Sequence, residues 1–398
     1  MLVRPTGTGP YTITGTPVTG RGVIELQGAD NVTINGDIAG GTVGRDLTIT
    51  CASATTVNLT SAIRVAVLAT LAVNGSADGI TISNCNINGN GTGRNNSSFT
   101  STTNVENSSF GVYCGGLASG TANTAPAVLT SVSTNTAASG TTINNFTLDN
   151  CTVNACARAI FFNGAAATVC SGTLTISNNL VGDQATTLSG APPFTSPATT
   201  VYTKAIFVAG ATSVSITGNS IKNILSYVST LMTGIELNSA IGAGTINISS
   251  NTISGVVNNN TSTTSSIQGL AISSAATGAT ITVNGNTVSN VQLPAATGFS
   301  PKPSGIIYAG TANGALFSNN QISQIYNRMT GTGGSYGLNM TSGNNHIIRN
   351  NFISDINMDM TGGSAFSTTF GVIGLRLAAG TGLQVYHNSV NLSGTLFG

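Results

Sequence analysis

Charge is the scarcest property of this 398-residue chain. Lys, Arg, Asp and Glu make up 6% of it, with 12 basic and 11 acidic side chains and a formal net charge of +1. Such a chain sets up no basic field for nucleic acid and no acidic field for cations, which argues against partners held by long-range attraction. Tryptophan is absent and aromatics are 5%, so any core is thin and aliphatic. No apolar run is long enough to span a bilayer: the richest stretch, Ala62 to Val73, is short and carries Arg64, and membrane insertion is not expected. The opening Met-Leu-Val-Arg-Pro has no apolar h-region, so no signal peptide is visible. No C-x-x-C occurs among the six cysteines, which argues against a zinc site, and no cofactor is expected.

What the chain has in quantity is glycine, with 50 residues, and Ser, Thr and Asn around it. Alone, that composition reads as disorder. Hydrophobic residues nevertheless make up 40%, and they alternate along short runs, so they can be buried. A phrase then recurs six times: S-I-T-G-N-S-I-K-N-I from Ser215, N-I-S-S-N-T-I-S-G-V from Asn247, T-V-N-G-N-T-V-S-N-V from Thr282, L-F-S-N-N-Q-I-S-Q-I from Leu316, I-I-R-N-N-F-I-S-D-I from Ile347 and Q-V-Y-H-N-S-V-N-L from Gln384. Its anchor asparagines are Asn219, Asn251, Asn286, Asn320, Asn351 and Asn388, spaced by 32, 35, 34, 31 and 37 residues. A period in the thirties carrying period-2 alternation points to stacked β coils.

Each repeat divides into three short strands. A G-[I/L/V]-x-[L/V/I] run comes first, as in Gly234-Ile235-Glu236-Leu237; a second follows, as in Ile246-Asn247-Ile248; the third is N-x-[I/V]-x-x-[I/V], as in Asn251 to Val256. That pattern predicts an all-β, parallel β-helix of about ten coils, one solenoid domain over 1–398. The anchor column should extend back through Asn179, Cys151 and Cys85, with Asn tolerating a left-handed bend and stacking by hydrogen bonds. Cysteine is small and apolar enough to stand in. The chain stops straight after a strand-like run, so it is expected to be a segment of a longer protein with further coils. Variable loops after the third strand (Asp183 to Thr203, Val257 to Gln268, Gln292 to Ser304, Asn357 to Thr369) should crowd one side, and Asn90 to Phe110 should protrude.

The segment Gly22-Val-Ile-Glu-Leu-Gln-Gly-Ala-Asp-Asn-Val-Thr-Ile-Asn-Gly36, with Gly44 to Thr50 and Val385 to Leu392, resembles the right-handed parallel β-helix repeat proteins of large bacterial secreted and surface proteins, as in Bacteroidetes. The resemblance covers nearly the whole chain. It implies the fold, and a secreted or cell-surface location, more than a function, because such rods serve as adhesins, stalks and polysaccharide-active enzymes.

Catalytic candidates are few. The eleven carboxylates are scattered about one per coil, and the only local groupings are Asp30 with Asp37 or Asp46, and Asp355 with Asp359. Glycoside hydrolysis needs two carboxyl groups roughly 5–10 Å apart. The N-T-D, D-D, G-H-G and R-I-K motifs that the hydrolase resemblance would imply are missing. His346 and His387 fall in consecutive coils near Arg349, one inward and one in a turn. The cysteines (Cys51, Cys85, Cys114, Cys151, Cys156, Cys170) permit 15 pairings, leaving buried thiols and cross-coil disulfides both open. Tyr202, Tyr227, Phe299 and Tyr326 are the loop aromatics that could stack on sugars. The outward column of the second strand, Thr81, Thr147, Thr175, Ser215, Asn247, Thr282, Leu316, Ile347, Gln384, begins threonine-rich and decays, a poor match to a regular ice-binding array. The expectation is a non-catalytic structural or adhesive rod with carbohydrate or cell-surface partners. The alternative is a polysaccharide lyase or glycoside hydrolase of the β-helix type.

Overall fold

The computed structural model describes residues 1–38, 44–54, 57–68, 75–91, 109–117, 129, 142–164, 170–186, 188, 200–226, 231–238, 243–259, 266–273, 277–293, 302–328, 333–358 and 371–392. Among them every regular element is a strand, and the strands stack into a right-handed parallel β-helix. The second run of each repeat forms one sheet eleven strands deep, from Leu2–Val3 through Thr245–Ser249 to Gln384–Tyr386. The third and first runs share a second sheet of 22 strands.

Register is kept from coil to coil, so like residues stack. Ile246 pairs with Val214 below and Ile281 above, and Ile248 with Ile216 and Val283. The inward column Ile34, Ile82, Leu148, Ile176, Ile216, Ile248, Val283, Phe317, Ile348 is fully buried. Alternate residues such as Asn247 and Thr282 point outward. A strand's period of two puts one set in the core and the other in water, so a register slip of one residue would invert both.

The glycine that opens each first run is there for space. A Cβ on Gly269 would lie 2.3 Å from Cγ1 of Val288, and one on Gly305 2.3 Å from Cγ2 of Ile322. These glycines face the branched side chain of the N-x-[I/V] phrase across the narrow core. Alanine takes the same place at Ala159 and Ala205, which flank the register pairs of Arg158 with Lys204 and Ile160 with Ile206.

The anchor asparagines form a continuous hydrogen-bonded ladder. Oδ1 of Asn219 accepts from the backbone N–H and from Nδ2 of Asn179, both at 3.0 Å. The same paired contact joins Asn219 to Asn251, Asn251 to Asn286, Asn286 to Asn320, Asn320 to Asn351 and Asn351 to Asn388, all at 2.9–3.0 Å. Each Nδ2 spends its other hydrogen on a carbonyl of the coil beneath, as Asn286 does on Ile248 O at 2.9 Å. Both ends of the amide are satisfied, which is what burying it requires.

One part of the expected turn chemistry is corrected. The left-handed residue is not the ladder asparagine but the one before it: Asn178, Ser250, Asn319, Asn350 and His387 have φ of 54° to 57°, and Gly218 and Gly285 take the same place. The ladder side chain is thereby free to turn inward. A second left-handed column, Asn223, Gly255, Asn290, Gln324 and Asp355, bends the third run into the first. Toward the N-terminus the ladder is apolar. Cys151 N–H still donates to Asn179 Oδ1 at 2.9 Å, but Cys85, then Leu47, then Tyr11 fill the column.

The expected one-sided loops lie largely outside the described residues. In the strand order each of the four follows a third run (Leu180–Gly182, Thr252–Asn258, Thr287–Leu293 and Ile356–Met358), and a further long connection follows a first run, between Phe110–Leu117 and Phe146–Asp149. Two loop boundaries move. Phe110 and Tyr202 belong to strands, and the base of the 90–110 insertion is closed by Ser109 Oγ donating to Asn90 O at 3.1 Å.

Candidate functional site

Of the acidic candidates, Asp46 is brought beside Asp37, its backbone N–H donating to Gly36 O at 2.9 Å, while Asp30 is held in a separate turn. Asp30 and Asp37 sit at opposite ends of the Thr33–Asn35 strand. Asp30 Oδ1 accepts the backbone N–H of Asp78 at 2.8 Å, tying one turn to the next. Asp37 lies 3.9 Å from Arg4 Nη2, and Asp46 Oδ2 accepts the N–H of Ile38 at 3.2 Å. Asp355 occupies a left-handed bend, accepts the Tyr326 hydroxyl, and takes Asn357 Nδ2 at 2.6 Å. Asp359 lies outside the described residues. Each described carboxylate of the set is thus engaged by a turn or a neighbouring coil.

The histidines and aromatics are similarly placed. His346 is buried, with Nδ1 accepting the N–H of Ala315 and Nε2 against Ser342 O, both at 3.1 Å. Its ring meets Tyr308 edge-on at 4.9 Å. Burial lowers its pKa, and both nitrogens are committed, so it shares no site with His387, which is exposed in its turn. Tyr202 is buried against Ala157, and Tyr326 holds Asp355 while its ring faces Arg328 at 5.3 Å. Tyr227 and Phe299 lie outside the described residues. Cys51, Cys85, Cys114, Cys151 and Cys156 are buried free thiols, and burial raises Cys151 well above the ordinary thiol range. A high pKa leaves Cys151 little thiolate, so its sulfur serves packing.

Sequence reading missed the densest group of charges, on the outer face of the first-run strands. In register there stand Glu25, Arg64, Tyr113, Phe161, Phe207 and Glu236. Arg158 and Lys204 form a second column beside them. The signal was present: Ala62-Ile-Arg-Val65, Ala159-Ile-Phe-Phe162 and Ala205-Ile-Phe-Val208 are the first-run phrase with alanine for glycine.

Three ion pairs, gathered on two carboxylates, anchor this face. Glu25 accepts Arg64 Nη1 at 3.2 Å, Arg21 Nη1 at 3.0 Å and the Gly22 N–H at 2.8 Å. Glu236 takes Lys204 Nζ, Thr233 Oγ1 at 3.1 Å and Asn238 Nδ2 at 3.1 Å. Arg158 lies between the pairs without a salt bridge among the described residues; it packs over Phe161 at 5.0 Å. Desolvation brings it down to about 10, opposed by the pull of Glu236. Phe161 and Phe207 stack at 4.3 Å, and Leu59 and Leu129 pack in the same apolar cluster. That makes these rings a satellite core, not an open sugar platform. Beside Glu25 a shallow cleft of about 550 Å³ is lined by Pro17, Val18, Arg21 and Gln27.

No group of three or more potential metal-ligating side chains comes together among the described residues. No protein-family model matches the chain, and neither a curated protein nor a solved structure is significantly similar to it.

Proposed function

We propose that the chain is a structural or adhesive rod, non-catalytic, from a secreted or cell-surface bacterial protein, with glycans or other surface molecules as partners and further coils in its parent chain. The observation that carries this reading is the outer surface of the eleven-stranded sheet. Thr33, Thr81, Thr147, Thr175, Ser215, Asn247 and Thr282 stand in unbroken register along it. Coil spacing in a parallel stack is about 4.8 Å, so this is a straight rack of uncharged donors and acceptors. Such groups suit neutral hydroxyl-rich polymers, whose recognition rests on many hydrogen bonds and little charge. The core behind the rack is packed coil on coil, which favours a stiff spacer.

A glycan array probed with the full chain tests the adhesive part. Binding to neutral glycans, weakened when Thr147 and Thr175 are replaced by lysine and little altered by added salt, is expected. Silence across the array from a folded sample would remove adhesion and leave only the spacer.

A further inference from the structure

We propose that Cys85 and Cys151 are an oxidation site, the two thiols joining into a disulfide that gives the ladder one covalent rung where its asparagines run out. This goes beyond the adhesive reading and does not depend on it.

The two cysteines stand in the same place on consecutive coils. Register pairs Thr147 with Thr81, Leu148 with Ile82 and Asp149 with Ser83 on one side of them, and Thr152 with Asn86 and Val153 with Ile87 on the other. The residues just before them, Asn84 and Asn150, are both left-handed and are joined from Nδ2 to Oδ1 at 2.7 Å. Both cysteines are 0% exposed and belong to the main apolar core. A coil spacing of about 4.8 Å puts their Cα atoms within the roughly 4.4–6.8 Å that a disulfide spans. No other cysteine stands opposite a cysteine among the described register pairs. Cys51 faces Gly15, Cys114 lies between Val65 and Phe162, Cys156 faces Val201 and Cys170 faces Ala211.

This is also the step of the ladder where a covalent tie does most. From Asn179 onward each step spans 31 to 40 residues and is held by two hydrogen bonds to one carboxamide oxygen. Cys85 and Cys151 are 66 residues apart (151 − 85), and their sulfurs are weak substitutes for a carboxamide. Cys85 gives its S–H to Ser83 O at 3.1 Å, and Cys151 reaches Asp149 O at 3.3 Å and Ile82 O at 3.8 Å. Closing a longer loop restrains the unfolded chain more.

Burial first, and the neighbouring Cys85 thiol second, raise the Cys151 pKa, so the closed coil keeps this sulfur unreactive. The step therefore belongs to the open coil, during folding. One cysteine thiolate attacks a disulfide oxidant of the glutathione class and releases half of it as a thiol. The second cysteine thiolate then displaces the other half. One S–S bond forms and one breaks; the oxidant takes the two electrons, and the two cysteine protons end on the thiols released.

The test refolds the full chain from denaturant in oxidised glutathione, or in reductant as the control. Free thiols are then blocked, and linked peptides are mapped by mass spectrometry with fragmentation. One dominant linkage, Cys85 to Cys151, is expected in the folded oxidised sample and none in the control. The oxidised chain should melt above the reduced one, by a margin that vanishes in Cys85→Ser and in Cys151→Ser. Should a serine variant fail to fold, the wild-type map and melts still decide. Both thiols left open to blocking in a folded oxidised sample would overturn the proposal, as would a glutathione adduct at either position or a dominant linkage between another pair. So would a linkage confined to misfolded chain, or equal melting of the oxidised and reduced forms. None of these outcomes bears on glycan binding.

Discussion

Oδ1 of Asn286 accepts two hydrogen bonds from Asn251, from the backbone N–H and from Nδ2, both at 3.0 Å. The same relationship repeats six times from Asn179 to Asn388 and runs in one direction, each coil donating to the next. A buried asparagine normally threatens stability, since an unpaired carboxamide costs roughly 1–3 kcal/mol. Here every member relies on its neighbour, so the column sets coil-to-coil register as well as holding the turn.

Inward and outward positions should respond very differently to charge. Ile253 is fully buried and Thr282 lies on the outer rack. Ile253→Asp should cost several kcal/mol or unfold the coil, because a carboxylate there has no partner, whereas Thr282→Asp should stay within about 0.5 kcal/mol. Chemical denaturation of the two variants checks this; equal losses would mean the register is wrong.

The charged outer face separates a paired cation from an unpaired one. Lys204→Met strands the buried Glu236 carboxylate, and breaking such a pair costs about 3–5 kcal/mol. Arg158→Met removes a buried cation that has no salt bridge among the described residues and leaves Phe161 in apolar contact. It should be neutral or stabilising. Thermal melts of both variants, side by side, decide the matter, and a larger loss in Arg158→Met would contradict it.

His346 should make the rod acid-sensitive. Burial lowers its folded pKa, so the neutral ring is the one the fold accepts. The stability this contributes is complete above the unfolded value of about 6.5 and is lost as pH falls below it toward the folded pKa. Melting temperature followed from pH 7.5 to 5 should fall in that window, and His346→Gln should flatten the fall. An unchanged slope in the variant would assign the acid response to other groups.

The repeat made the fold legible because its signal is geometric. The N-x-[I/V] phrase fixed period, inward set and ladder as far back as Cys85 and Cys151. The glycine of G-[I/L/V] was visible too, although its reason, the 2.3 Å approach to Val288 or Ile322, belongs to packing between strands distant in sequence. The bend was less legible: the phrase has a polar residue at both turn positions, and only backbone angles show that Ser250, not Asn251, is left-handed. The charged face escaped notice because Arg64, Arg158 and Lys204 fall where alanine replaces the tell-tale glycine and the register is harder to follow.

Amide hydrogen exchange at one residue tests the ladder most directly. In Asn286→Ala the backbone N–H of Asn251 loses its only acceptor among the described residues, whereas that of Thr252, which donates to Asn219 O at 2.8 Å, keeps its own. If the asparagines hold the coils together, protection of Asn251 should collapse by at least tenfold while Thr252 changes less, with a stability loss of about 2–4 kcal/mol. Unchanged protection at Asn251 together with unchanged stability would show that the column is a bystander and that the aliphatic core alone sets the stack.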